Sequence, residues 1–247
     1  MEDQYKRAAE IIINSKNCIS LTGAGISTES GIPDFRSAGG LWEKYDPMKY
    51  AHINSFRRDP EEVWGMFFDL TDLTRNAKPN PAHISLAKLE EMGILKGVVT
   101  QNIDNLHQEA GCKNVIEFHG NANYLECLDC KSRYDSKEFK VDRIIPRCLN
   151  CGAILKPSVV FFGEMIPQDA LWRSEHLAIS ADSVLVIGTS AVVYPASGIP
   201  YTAKANGATI IEMNLERTSL TSSITDIFIE GFVGSTLPVL FSHIKGL

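Results

Sequence analysis

Cys18-Ile-Ser-Leu-Thr-Gly-Ala-Gly-Ile-Ser-Thr28 joins an apolar run to a glycine-rich turn and points to the kind of fold this chain adopts. Its first five residues are apolar or β-favouring, the length and make-up of one buried strand. Gly23-Ala24-Gly25-Ile-Ser27-Thr28 then makes a glycine-rich turn of the kind that opens a helix beneath a phosphate. Taken alone, these glycines fit a tight turn with no ligand equally well. Thr28 also stands where the third glycine of the usual dinucleotide fingerprint belongs.

Upstream, Ala8, Ala9, Ile11, Ile12 and Ile13 beside Lys6, Arg7 and Glu10 predict a helix over residues 3–14, docked on the sheet. Downstream the alternation lapses into a loop around Pro33-Asp34-Phe35-Arg36. A helical stretch follows, with Val63, Phe67, Leu70 and Leu73 at helix spacing. Pro81 starts a further helix running to about Met92, with Gly93 as its stop. Strands then fall at 97–101, 115–118, 158–161, 183–187, 208–213 and 227–229, with helices at 104–110, 167–180, near 196–206 and from about 235. Short β-rich runs separated by helices predict an α/β fold with a doubly wound, Rossmann-like parallel sheet.

Cys127-x-x-Cys130 and Cys148-x-x-Cys151, with seventeen residues between the pairs, have the spacing of a tetrahedral four-thiolate zinc site. Four cysteines leave no open coordination position, so the ion is expected to be structural. A nucleic-acid-binding zinc ribbon is the rival reading. Residues 121–157 carry seven Lys and Arg against five Asp and Glu, and the −2 of a zinc with four thiolates brings that excess of two to zero. With a net charge of −6 for the whole chain, direct nucleic-acid binding is not expected. The uncharged run 183–203 is broken by Gly188, Pro195, Gly198 and Pro200, so no membrane span is expected. The N-terminal MEDQYKRAAE lacks an apolar targeting region, and a cytoplasmic location follows as the expectation.

Polar residues recur at the carboxyl ends of the predicted strands, the edge where open α/β sheets bind ligands: Gln101-Asn102-Ile103-Asp104, His119, Gly188-Thr189-Ser190 and Asn214. Each has an ordinary structural reading. A single histidine at a strand end is more often a satisfied structural residue than a base, and Asp34 and Arg36 read equally as a turn carboxylate and a surface cation. Asn214 ends its strand where the ribose-binding acid of an NAD fold would be, which favours NAD over NADP. A hydride-transfer dehydrogenase stays open at this point.

Together, Gly23 to Thr28, Gly31-Ile-Pro-Asp-Phe-Arg36, Thr100-Gln-Asn-Ile-Asp104, Leu106-His107, His119-Gly120, Val160-Phe-Phe-Gly-Glu164 and Gly188-Thr-Ser190 resemble the sirtuin family, in the family's order and with the cysteine pairs between His119 and Val160. The resemblance implies an NAD-dependent protein-lysine deacylase. A Rossmann-like core, residues 1–31, 80–120 and 157–247, would carry a smaller domain made of a helical insertion (32–79) and a zinc module (121–156). NAD would be held by Gly23, Ala24, Gly25, Ser27, Thr28, Asp34, Phe35, Arg36, Gln101, Asn102, Ile103, Asp104, His119, Gly188, Thr189, Ser190, Asn214, Leu215 and the backbone near Val233. His119 would act as general base on a ribose hydroxyl, with Gln101, Asn102 and Ser27 orienting ribose and water. The acyl oxygen itself attacks the ribose carbon as nicotinamide leaves. An acylated-lysine protein would enter along Val160, Phe162, Gly163, Glu164 and Val193 as an added strand. Products would be nicotinamide, O-acyl-ADP-ribose and free lysine. Phe67 and Leu70 stand where family members that read acidic acyl groups carry a Tyr and an Arg, so acetyl and longer apolar chains are the expected substrates. A mono-ADP-ribosyltransferase and a non-catalytic NAD sensor are the competing readings.

Overall fold

The computed structural model describes residues 2–139 and 143–247, so residue 1 of the expected core and residues 140–142 of the expected zinc module lie outside the described residues. In chain order the elements are α1 (Glu2–Asn14), β1 (Cys18–Thr22), α2 (Leu41–Lys44), α3 (Pro47–Tyr50), α4 (Ile53–Arg58), α5 (Pro60–Thr74) and α6 (Pro81–Glu91). They continue with β2 (Leu95–Thr100), α7 (Leu106–Glu109), β3 (Val115–Glu117), β4 (Gly120–Cys127), β5 (Arg133–Asp135) and β6 (Leu155–Val159). The chain closes with α8 (Gln168–Ser180), β7 (Ser183–Ile187), α9 (Gly198–Ala205), β8 (Thr209–Asn214), β9 (Ile227–Glu230) and α10 (Val233–Lys245).

Every residue of β1 and β7 is buried, as expected of central parallel strands covered on both faces. Alternation sorts their side chains. Leu185 and Ile187 pack with Ile12, Leu86 and Leu237 under α1, α6 and α10, while Val184 and Val186 pack with Ile19, Leu21, Ala178 and Ile199 under α8 and α9. The resulting sheet has the order β3-β2-β1-β7-β8-β9 with all pairs parallel. From β1 the chain winds outward through β2 and β3, then returns to wind the other way through β7, β8 and β9. The switch point, and hence the crevice for a ligand, lies at the carboxyl ends of β1 and β7.

Two expectations are corrected. The strand read at 158–161 runs from Leu155 to Val159 and lies outside the parallel sheet, pairing antiparallel with β4 in a three-stranded sheet of order β5-β4-β6. Lys156 and Pro157 disguise it, because a lysine and a proline argue against a buried strand until Glu126 is seen opposite Lys156. The glycine-rich turn opens no long helix either. It makes two short 3₁₀ turns, Ala24–Ile26 and Thr28–Ser30, the second closed by Gly31 at φ 87°.

The small sheet and α2–α5 share one core. Phe56, Val63, Trp64, Phe67 and Phe68 of the insertion pack with Leu125, Leu155 and Val159 of the zinc-bearing sheet and with Phe161 just after it. Among the described residues, no helix is long and apolar enough to cross a membrane.

Candidate active site at the carboxyl edge of the sheet

The turn after β1 and the turn after β7 are pressed together. Gly25 donates its N–H to the Gly188 carbonyl at 2.8 Å, and a Cβ on Gly25 would sit 2.8 Å from that same oxygen. Gly188 itself has φ 57°, and a Cβ there would meet the Ile26 amide nitrogen at 2.4 Å. The glycines are therefore required by the close approach of the two loops. Gln101 Nε2 donates to Thr189 Oγ1 at 3.0 Å, and Asn214 Nδ2 donates to the Thr189 carbonyl at 2.9 Å. Segments following β1, β2, β7 and β8 are thus locked into one rim. Beside it, the Glu29 carboxylate accepts the Gly234 N–H and caps α10 at Val233.

After β2, Asn102 is buried and donates through Nδ2 to the Gly23 carbonyl at 3.1 Å and to Ser27 Oγ at 3.2 Å. Ser27 Oγ in turn donates to Asp104 Oδ2 at 2.6 Å, while Asp104 Oδ1 accepts the Leu106 N–H at 3.0 Å. Burial raises the Asp104 carboxyl above its ordinary value, opposed by these hydrogen bonds. A second chain lies beneath. His107 Nε2 meets Thr22 Oγ1 at 2.9 Å, Thr22 donates to Thr100 Oγ1 at 2.9 Å, and Thr100 accepts the Asn102 N–H at 3.1 Å. Burial holds His107 neutral by pushing its pKa down to about 3.

His119 follows β3 and is half-buried. Its Nδ1 lies 3.1 Å from the Gln101 carbonyl, which only accepts, so Nδ1 carries the proton and Nε2 is the free, basic nitrogen. Nε2 has no partner among the described residues. Desolvation lowers the pKa, partly offset by the hydrogen bond to Gln101. A neutral imidazole with an open lone pair can take a proton from a hydroxyl placed in the crevice.

Across the crevice, the segment after β6 is tied at both ends: Val160 N–H donates to the His119 carbonyl at 2.8 Å and Phe162 N–H to the Ala51 carbonyl at 2.8 Å. The Val160 carbonyl and the Gly163 amide beside these ties have no partner among the described residues. Phe162, Met165, Val192 and Tyr194 are all exposed apolar side chains. An open backbone edge flanked by apolar side chains can accept an extended chain as an extra strand.

At the far end of the small domain, the four sulfurs of Cys127, Cys130, Cys148 and Cys151 lie within 4.8 Å of one another. Lys131 at φ 63° and Gly152 at φ 77° follow the second cysteine of each pair, turning each knuckle so that both sulfurs face inward. This set fits one structural zinc ion.

The structure gathers Gly23 to Thr28, Gln101 to Asp104, His119, Gly188 to Ser190, Asn214 and Val233 along one edge. Asp34, Phe35 and Arg36 stand apart on a turn. The Asp34 carboxylate accepts the Arg36 and Ser37 N–H groups at 2.9 and 2.8 Å, and the Arg36 guanidinium makes no hydrogen bond or ion pair among the described residues. Leu215 and Ser190 are exposed beside the rim. Sequence reasoning gave no role to Glu29, Thr22 and Thr100, whose contacts join segments far apart in the chain.

Comparison with known proteins agrees with this arrangement. A model of the Sir2 family matches residues 23–195. NAD-dependent protein deacylase 2 of Archaeoglobus fulgidus is 47% identical, covering 100% of this chain and 98% of that protein. A solved Sir2 homologue in complex with NAD has a TM-score of 0.91 at 41% identity, covering 97% of this chain and 93% of that one. A Sir2 protein bound to a myristoylated histone peptide has a TM-score of 0.85 at 41% identity, covering 100% and 98% of the two chains. With the family's sequence blocks meeting along a single sheet edge and the match spanning the full chain, this protein belongs to the Sir2 family.

Proposed function

We propose that the protein removes acetyl and longer apolar acyl groups from protein lysines, consuming NAD and releasing nicotinamide, O-acyl-ADP-ribose and free lysine. One observation carries this reading: His119 presents an unpartnered Nε2 to the crevice at the switch point of the sheet, with its proton fixed on the opposite nitrogen. A pure binding site has no need of a base held in that tautomer. NAD supplies the electrophilic ribose carbon. The chain's part is to hold it along Gly23 to Thr28, Gly188 to Ser190, Asn214, Leu215 and Val233, with Phe35 and Arg36 closing over it and Ile103 and Asp104 beside the nicotinamide. Asn102, fixed by Gly23 and Ser27, orients the sugar while His119 accepts a proton from a ribose hydroxyl.

The acyl-lysine peptide pairs with the open Val160 to Glu164 edge, with Val193 opposite and Phe162 lining the way in. The A. fulgidus relative is named as a deacylase, and the solved complex with a myristoylated peptide supports accommodation of long apolar chains. The cleft then lies between the sheet and a small domain of residues 32–79 and 121–159, β6 counting with the latter. Our reading makes this a cytoplasmic enzyme, resting on four thiols kept reduced for a metal.

The test is mass spectrometry of an acetyl-lysine peptide incubated with the protein, with and without NAD, using His119→Ala as control. Expected are NAD-dependent loss of acetyl, appearance of O-acetyl-ADP-ribose, and a variant slowed by about 10²–10⁴-fold. Consumption of NAD with ADP-ribose on protein and the peptide unchanged would replace this reading with ADP-ribosyl transfer.

A further inference from the structure

Lys156 is only 1% exposed on β6, an unfavourable position for an ammonium unless it is paired and its donors are satisfied. Its Nζ lies 2.7 Å from the Val159 carbonyl, 2.8 Å from Glu126 Oε1 and 3.1 Å from the Pro157 carbonyl. Glu164 Oε2 is 3.1 Å away and also accepts the Phe161 N–H at 2.9 Å. The Phe161 ring centroid lies 4.6 Å from the same nitrogen. Apart from Glu126, every one of these partners belongs to residues 157–164. The ammonium is thus the hub around which that segment curls.

This curl has a direct consequence for the open edge. The Val159 carbonyl is held inward and Glu164 holds the Phe161 amide, while the intervening Val160 and Gly163 line a groove of about 600 Å³ whose walls also include His52, Arg57 and Met165. The Gly163 backbone is at φ 84°, with the His52 ring against it.

We infer that Lys156 is a positioning residue for the acyl-lysine peptide: it shapes the 159–164 turn so that its backbone edge is presented before the peptide arrives. This rests on the deacylase reading above. A neutral residue of similar length would leave Glu126 and Glu164 as like charges without their shared counter-ion and two carbonyls without a donor, and the turn would lose its preformed shape. Arginine keeps the charge and the donors. On the deacylase reading, NAD is held by the loops after β1, β7 and β8, so its affinity is expected not to depend on Lys156.

Steady-state kinetics with an acetyl-lysine peptide and NAD as the varied substrates tests this. Lys156→Met is expected to raise the KM for the peptide by about tenfold while the KM for NAD and the kcat at saturating peptide stay within about threefold, the pattern of lost ground-state binding. Lys156→Arg is expected to recover most of the loss. Glu126→Gln, at a partly exposed site on β4, is expected to shift the peptide KM in the same direction by a smaller factor, and it decides the matter if Lys156→Met does not fold. A peptide KM unchanged in these variants, an equal rise in both KM values, or an arginine variant no better than methionine overturns the inference. If the unaltered protein does not deacetylate the peptide, the deacylase reading fails instead. Fluorescence anisotropy of a labelled acetyl-lysine peptide on the same variants then still reports whether Lys156 governs peptide binding.

Discussion

The two ring nitrogens of His119 have different neighbours, and that difference sets the pH behaviour. Desolvation disfavours the imidazolium more than the Gln101 carbonyl favours it, so the folded pKa lies below the ordinary 6.5. The base form therefore persists to lower pH than in a free histidine. A pH–rate profile of kcat/KM for the acetyl peptide is expected to lose activity only below pH 6.5 on its acid limb; an apparent pKa above that value contradicts the assignment. Acyl preference also lives at this scale. Phe67 is buried and stacks on Phe161 at 5.7 Å, and Leu70 packs against the same core, so neither offers a partner to a carboxylate. A succinyl-lysine peptide is expected to be turned over at least about tenfold more slowly than its acetyl counterpart, since leaving a carboxylate unpaired in an apolar site is costly. The double change Phe67→Tyr with Leu70→Arg is expected to narrow that gap, as read by competition between the two peptides.

Among the elements, the joint between α5 and β6 holds the small domain to its own sheet. Trp64 is 3% exposed, and its Nε1 donates to the Leu155 carbonyl at 2.8 Å, so one side chain closes a contact between segments 91 positions apart. Trp64→Phe retains much of the ring packing and loses this bond, which is expected to cost about 1–2 kcal/mol. Urea unfolding followed by far-ultraviolet circular dichroism measures it, and an unchanged midpoint would mean that the joint is held by packing alone. β6 is also the element the sequence disguised. Leu155, Pro157 and Val159 alternate with Lys156 and Ser158, yet a proline inside the run and a lysine at a buried position both read against a strand.

For the molecule as a whole, two insertions far apart in the chain share one core, and the cysteine cluster sits at its edge. Cys127 and Cys148 are members of that core along with Trp64, Phe67 and Phe161. Withdrawing zinc with a chelator is therefore expected to reduce amide protection in residues 45–68, which touch no cysteine pair in sequence, as well as in the zinc module, while β1 and β7 keep theirs. Hydrogen exchange by mass spectrometry checks this, and loss confined to the cysteine pairs would show that the two insertions are not coupled. The parallel sheet is legible in short apolar runs such as Ser183–Ile187, every residue of which is buried. The zinc set is legible through its spacing, and the polar residues at the carboxyl ends of the strands through their place after each apolar run. These are local signals, carried by periodicity and by neighbours a few residues apart. Contacts between distant segments set the His119 tautomer, require glycine at Gly25 and Gly188, make the two insertions one body, and gather residues 157–164 around Lys156. Each of those depends on atoms brought together from distant segments, and no local pattern in the chain encodes that meeting.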